Sequence, residues 1–427
     1  MLKGCRLKTG QSDLMRWTVE KHLQPVLQPR WLTRWQVSRA RSISPAISGN
    51  PLDKHQPRTL FVDVSVIARH DAGTGIQRVV RHVALELLQN PPPGWRVIPV
   101  GATRKRPYHA IHWPETKPVH EYVLSAKAGD VFLGLDYALD SVFLHEKQLD
   151  ALRRQGVALW FVVYDLLPWQ HADWFSDKMV VRYRKWLSVL ARHADGFLNI
   201  SSATETALRQ VLSEHYQLQD GYHSHVMPMG WNFVPPVTFP LASHETDSIF
   251  RQLAGRPTAL MVGTLEPRKG HADVLAAFEH LWQNGNECNL LIVGKPGWKT
   301  EQLQAALRQH PQHLKHLFWL DDVSDSLLAG LYAACAGVIA ASLAEGFGLP
   351  LLEALGKEKP VLARDIPVFH TLRLDGLSYF PATANAVELA DYIQRWLAVD
   401  HSDIALPPLP TWADSAQAIL IAIMADG

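Results

Sequence analysis

Four side chains stand out by type and spacing. Glu345 and Glu353 are separated by seven residues, and Gly346-Phe347-Gly348-Leu349-Pro350 lies between them. Upstream, Arg268 and Lys269 adjoin and are followed by Gly270. A guanidinium fork beside an ammonium suits clustered oxyanions such as a diphosphate. The turn Gly346–Leu349 runs into a proline whose fixed φ and missing N–H suit a first helical turn. Free amides and the positive end of the helix dipole there favour phosphate. A carboxylate beside phosphate is repulsive, so Glu345 is read as facing ligand hydroxyls, and Glu353, two turns on, as reaching a second hydroxyl pair. The implied ligand is part polyol and part phosphate. The plain alternative is a surface loop with solvated charges.

The elements that must position these groups are strands alternating with helices. Cys335–Ala340 is an apolar run that reads as a buried strand, and Leu351, Leu352 and Leu355 recur at helical spacing behind the glycine loop. Thr258–Thr264 reads as a strand ending in Gly263 and Thr264, followed by the Arg268-Lys269 loop and a helix from His271 to about Gln283. Further strands are expected at Leu290–Gly294, His316–Leu320 and Val361–Arg364, the last taken as the final core strand, with a helix over 324–334 capped by Asp321–Ser324.

The earlier part of the chain has the same rhythm. Thr59–Ile67 is a β-branched strand, and a loop containing Gly73, Thr74 and Gly75 leads to a helix from Ile76 to about Asn90. Strands follow at Arg96–Val100, Val131–Leu135, Val157–Val163 and Gly196–Ile200, with helices near 145–155, 176–194 and 203–214. The pattern argues doubly wound parallel sheets, whose ligands bind at the carboxyl ends of strands. Tyr164 and Asp165 fall at one such end. Asp165 reads either as facing a ligand at that strand end or as a helix N-cap or turn residue, and His171 as structural or solvated. Arg78 either points at the 73–75 loop or is a surface charge.

Composition bounds the rest. A chain of 427 residues exceeds the roughly 250–300 at which single cores stop growing, so two domains are expected. With 47% apolar and 19% charged residues, most of it should fold as a globular protein. No run of roughly 18 apolar residues appears, and no signal peptide opens the chain. Cys5, Cys288 and Cys335 are far apart and read as reduced thiols without metal spacing. Net charge is +1, yet residues 1–58 hold 11 Lys and Arg against 3 Asp and Glu, leaving the remainder acidic. Nucleic acid is therefore not expected as a partner, because the basic run lies outside the folded body. That run carries Trp17, Trp31 and Trp35 among its arginines, a composition suited to an anionic membrane surface.

The motifs also carry a resemblance. Glu345 to Glu353 with the intervening glycines and proline resembles the E-x7-E signature of retaining GT-B glycosyltransferases of family 4. Glu266-Pro-Arg-Lys-Gly270 and Tyr164-Asp-Leu-Leu-Pro168 resemble segments of its bacterial mannosyltransferases, which build O-antigen and other surface polysaccharides; a tyrosine stands at 164 where many relatives have histidine. The resemblance covers roughly residues 59 to 400. It implies two Rossmann-like domains facing a cleft and transfer of a hexosyl group from a nucleotide sugar, GDP-mannose as the best guess, to a glycan or lipid-linked glycan acceptor, without a metal or other cofactor. It implies catalytic or charge-stabilising roles for Glu345, Arg268, Lys269 and Asp165. Donor contacts are implied at Gly263, Thr264, Lys295, Gly346, Phe347, Gly348, Leu349 and, toward the ribose, Glu353, with Trp298 as a base-stacking or packing residue. The loop Gly73-Thr74-Gly75 with Arg78 is implied to approach donor phosphate and acceptor.

The expected organisation is a basic leader and linker over 1–57, an acceptor-side domain over 58–240, a donor domain over 241–390, and a helical segment over 391–427 that crosses back to the first domain, a crossing read from the helix at 385–399. Strand 226–232 is expected to end the first domain. The expected location is cytoplasmic, peripheral on the inner face of a membrane. The rivals are a rhamnosyl or glucosyl donor, a non-catalytic glycan-binding scaffold, and an oxidoreductase, against which 73–78 lacks the G-x-G-x-x-G pattern.

Overall fold

The computed structural model describes residues 30–42, 57–115, 124–231, 244–372, 376–401 and 408–425. Two sheets organise them. The first contains β1 (Arg58–Asp63), β2 (Trp95–Gly101), β3 (His109–Ala110), β4 (Val131–Gly134), β5 (Ala158–Val163), β6 (Gly196–Asn199) and β7 (His223–Val226) in the order β3-β2-β1-β4-β5-β6-β7. Only β3 runs antiparallel. The second contains β8 (Thr258–Val262), β9 (Asn289–Val293), β10 (Leu317–Leu320), β11 (Gly337–Ala340), β12 (Val361–Arg364) and β13 (Leu377–Phe380) in the order β10-β9-β8-β11-β12-β13, all parallel.

The central strands are near-continuous apolar runs because helices cover both sheet faces. In β5, every residue after Ala158 is buried. Strand order reverses between β1 and β4, and again between β8 and β11. Crevices therefore open at the carboxyl ends of these strands, where doubly wound sheets bind ligands. No helix among the described residues is long and apolar enough to cross a membrane.

Several expectations change. Val361–Arg364 is not the last strand: β13 pairs with β12 from Val361↔Leu377 to Arg364↔Phe380. It is an edge strand with three of four residues only partly buried, so it lacks the apolar run that marked the others. Strand β7 ends at Val226, and residues to Trp231 leave the sheet. The helix Ala386–Leu397 stays on the second domain: Leu389, Ala390 and Ile393 join Val274, Phe278 and Leu281 in one cluster. The crossing is made by the helix Trp412–Ala425, whose Trp412, Ile419 and Ile423 pack with Val79, Val83 and Leu87 of the helix Gly75–Gln89. Gly230 permits it, since a Cβ there would lie 2.5 Å from the Trp412 ring.

The leader contains a docked helix, Arg30–Arg41, which buries Thr33 and Val37 against the helices Asp177–His193 and Ser202–Tyr216. The last carbonyls of a helix lack intrahelical partners and attract cations. Arg34 donates to the Glu214 and His215 carbonyls, and Arg41 to those of Ala191, Ala194 and Gly221. Residues 1–29 and 43–56 of the leader and linker lie outside the described residues.

Candidate active site

The loops after β8 and β11 lie side by side because their strands pair directly. Pro267–Lys269 forms one 3-10 turn, and Gly270 follows at φ 69°. A Cβ on Gly270 would sit 2.2 Å from the Ala341 carbonyl oxygen, so only glycine lets the two loops touch here. The glycine loop ends at Gly348, φ 113°, and the helix Leu349–Leu355 begins with Pro350 in its first turn.

That contact brings the expected charges together. Glu345 accepts from Arg268 Nη1 at 2.8 Å, from Lys269 Nζ at 2.5 Å and from Ser342 Oγ at 2.7 Å. Arg268 also donates through Nε to Glu266 at 2.8 Å. Glu345 is only 10% exposed. Burial pushes its carboxyl pKa up, but the Lys269 ammonium and Arg268 guanidinium more than offset that and hold it at about 2. The Arg268 guanidinium is stabilised in its charged form by Glu345 and Glu266 against the burial that opposes it. A charged triad thus stands at the carboxyl ends of β8 and β11. Beside it, Lys269, His271, Ser342, Glu345 and Gly348 help line a cavity of about 20 Å³.

Asp165, at the end of β5, is pushed up to about 6 by burial; Arg268 opposes this, and Glu345 and Glu266 add to it. Its Oδ1 accepts from the Leu167 amide at 3.1 Å, so it is a turn residue that also senses the triad. Tyr164 turns its hydroxyl inward to the Leu135 carbonyl at 2.7 Å. His171 stacks on Trp174 with ring centroids 4.0 Å apart, a packing role.

The two domains meet over this site. Gly346 touches the first domain so closely that a Cβ would lie 2.1 Å from the Tyr164 carbonyl oxygen. The Gly346 carbonyl accepts from Ser201 Oγ at 2.6 Å and Thr204 Oγ1 at 3.1 Å. Phe347, expected at the donor, is buried with Leu352 and Trp160 in the first domain's core cluster. Gly75 approaches Leu349, with a Cβ position 3.5 Å from its Cδ1. Thr74 caps the helix Gly75–Gln89 in a capping box with Gln77, and Gly73 turns at φ 68°. Lys295 donates across the cleft to the Ala72 carbonyl at 3.2 Å. Trp298 donates to the Trp174 carbonyl at 2.8 Å and packs on Phe175, so it bridges domains. Gly263, φ 145°, lies under the Lys269 side chain, and Thr264 follows it.

Arg78 is neither aimed at the 73–75 loop nor a plain surface charge. It donates to Glu353 at 3.1 Å and to Asp325 at 2.9 Å, tying the first domain to the second. Glu353 is 4% exposed and accepts from Tyr332 Oη at 2.9 Å. Burial raises its pKa against the lowering by Arg78 and Tyr332. Glu345 and Glu353 therefore sit in separate networks. Residues given no role from sequence are His271, Ser201, Thr204, Tyr332, Ser342 and Glu266, the last read only as part of a motif. Ser201 carried one legible signal, as the N-cap of the helix Ser202–Tyr216.

Residues 245–403 match the family described as glycosyl transferases group 1. The chain is 38% identical over 392 residues to a protein of Escherichia coli named serotype-specific mannosyltransferase WbdA, covering 88% of this chain and 46% of that one. The chain thus spans just under half the length of the curated relatives it matches first. Among solved structures, the Anabaena protein Alr3699/HepE in complex with UDP and glucose aligns at TM-score 0.53 and 20% identity, covering 87% of this chain and 97% of that one. The catalytic domain of starch synthase IV from Arabidopsis thaliana, bound to ADP and acarbose, aligns at TM-score 0.58 and 12% identity, covering 87% and 99%. These likenesses establish the fold as GT-B.

Proposed function

Residues 245–403 are a group 1 glycosyltransferase domain, and from that premise we propose that the chain is a retaining glycosyltransferase. It moves a mannosyl group from GDP-mannose to a glycan or lipid-linked glycan acceptor in bacterial surface-polysaccharide synthesis. The observation that carries this reading is Glu345 held between Arg268 and Lys269 at the carboxyl ends of adjacent strands. The mannosyl choice rests on the 38% identity to the E. coli mannosyltransferase.

The geometry suits the chemistry as follows. When a sugar diphosphate enters, Arg268 and Lys269 exchange the Glu345 carboxylate for phosphate oxygens. Glu345, kept ionised, then accepts from hydroxyls of the hexose. Charge developing on the departing diphosphate falls to the two cations, a contribution on the order of 3–4 kcal/mol for one such donor; no metal takes part in this reading. A cavity of about 20 Å³ is far below the roughly 300 Å³ of a ligand pocket, so the domains open to admit the donor. Opening withdraws Arg78 and leaves one Glu353 oxygen for a ribose hydroxyl while Tyr332 holds the other.

The test is a thermal-shift screen against GDP, UDP, dTDP and NAD, followed by hydrolysis of the matching sugar nucleotides. A shift with GDP supports the mannosyl donor; UDP or dTDP alone would redirect it to a glucosyl or rhamnosyl donor. A shift with none would favour a non-catalytic scaffold, and one with NAD an oxidoreductase.

The proposal places the protein in the cytoplasm, peripheral on the membrane through residues 1–57. The helix Arg30–Arg41 carries four arginines and no acid, and leaves Trp31 68% and Trp35 52% exposed. A groove of about 510 Å³ beside it is lined by Trp35, Arg39, Lys147 and Arg154 together with Glu146 and Asp150. Exposed tryptophans flanked by cations suit an anionic lipid surface. Trp31→Ser with Trp35→Ser should abolish sedimentation with phosphatidylglycerol vesicles while preserving the thermal midpoint; undiminished sedimentation would refute this placement.

A further inference from the structure

His271 is a buried histidine that the reading above does not use. It opens the helix His271–Gln283, directly after the Gly270 turn, and is 2% exposed. Its Nδ1 is buried without a hydrogen-bond partner among the described residues. The ring lines the same cavity of about 20 Å³ as Lys269, Ser342 and Glu345. A buried polar nitrogen without a partner is costly, and native proteins retain few of them. Among the described residues none supplies an acceptor or donor for Nδ1, and the ring lines the cavity, which leaves the occupant of the cavity as the candidate partner.

The surroundings define that partner. Burial, with the Lys269 ammonium adding to it, lowers the imidazole pKa to about 3 and keeps the ring neutral. A neutral imidazole retains one N–H donor. Lys269 lines the cavity together with the Glu345 carboxylate it pairs with, and the amino end of a 13-residue helix adds positive potential. Once that carboxylate turns to sugar hydroxyls, an oxyanion is the acceptor that fits. We propose that His271 is a positioning residue for the donor substrate, donating a ring N–H hydrogen bond to a phosphate oxygen beside Lys269. This rests on the nucleotide-sugar reading. It adds a third, uncharged phosphate donor to Arg268 and Lys269. Being uncharged, it leaves the negative charge of the departing diphosphate to those two cations.

The experiment compares wild type, His271→Leu and His271→Asn by thermal midpoint without nucleotide, by calorimetric titration with GDP and UDP, and by donor and acceptor KM. Leucine removes the unpaired nitrogen, so the unliganded midpoint should hold or rise. Nucleotide affinity should fall about 10-fold, as for a lost hydrogen bond to a charged group, with donor KM rising in parallel and acceptor KM unmoved. The loss should appear with whichever of the two nucleotides binds wild type, because the contact is to phosphate and not to base. Asparagine, which keeps an N–H donor, should restore most of the affinity. If leucine binds nucleotide as wild type does, or if both variants lower the unliganded midpoint and leave affinity intact, His271 is a core residue and the proposal fails. A wild type that binds neither nucleotide would overturn the glycosyltransferase reading, and this inference with it.

Discussion

Replacing Arg78 with alanine removes the cation that crosses from the first domain to Glu353. The pair is deeply placed: the Arg78 side chain is 18% exposed and Glu353 only 4%. Stripping one partner from a buried pair costs about 3–5 kcal/mol when the other stays charged. Glu353, however, has a way out. Its pKa is already raised by burial with Arg78 present, and without Arg78 it rises further, so the carboxylate takes up a proton. A group with a raised folded-state pKa stabilises the fold fully below its unfolded value, and that stability is lost as pH rises. At pH 8 the cost should approach about 3 kcal/mol. As pH falls and Glu353 takes up its proton, still bonded to Tyr332, the cost should fall toward the roughly 1 kcal/mol of a lost hydrogen bond. For domains of this size, 1 kcal/mol shifts the midpoint by about 2–4 °C. Scanning calorimetry across pH should therefore show a loss of about 6–12 °C at the alkaline end that shrinks toward about 2–4 °C as the solution is acidified. Adding Glu353→Gln should recover most of the pH 8 loss. A loss unchanged across pH, or strictly additive single and double variants, would refute the assignment of Arg78 and Glu353 as a buried pair.

Three further outcomes follow from the site. Asp165, pushed up to about 6, should protonate as pH falls through that value and weaken its attraction to Arg268, so kcat/KM should decline below about pH 6 in wild type and lose that inflection in Asp165→Asn. Gly346→Ala sets a methyl 2.1 Å from the Tyr164 carbonyl; small-angle scattering should report a more open molecule, and transfer should drop about 10-fold or more, in the range for misplaced reacting groups. Arg41→Ala strips three carbonyls of their donor and should lower the first domain's stability by about 1–3 kcal/mol, measured by denaturant unfolding.

Much of the frame was legible because central parallel strands are buried on both faces and announce themselves as apolar runs. Arg268, Lys269 and Glu345 were legible as candidates because each follows a strand, but their pairing was not. Glu345 reads from sequence as facing ligand hydroxyls, whereas adjacent parallel strands bring its loop onto the two cations. The rest was hidden for specific reasons. Arg78 and Glu353 are 275 positions apart, and nothing in a single sequence marks a bridge between domains. In the helix Ala386–Leu397, Leu389, Ile393 and Trp396 announce a buried face but not the surface it meets, so within 391–427 the crossing belongs to the later helix Trp412–Ala425 and not to the one at 385–399. Phe347 sits within a ligand-like motif, yet its apolar ring fills the first domain's core. His271 gave no signal, because an isolated histidine after a turn is ordinary until its burial is known.

The most direct test of the central claim is transfer itself, with GDP-mannose as donor and a mannose-containing oligosaccharide as acceptor. The product is followed by mass spectrometry and its anomeric configuration by NMR. Wild type should extend the acceptor with retention of configuration. Glu345→Ala and Lys269→Ala should each lose about 100-fold or more in turnover, assayed well below the variants' thermal midpoints because each leaves a buried charge without a partner. Near-normal turnover in either variant, or no transfer by wild type from GDP-mannose or any other sugar nucleotide, would contradict the account.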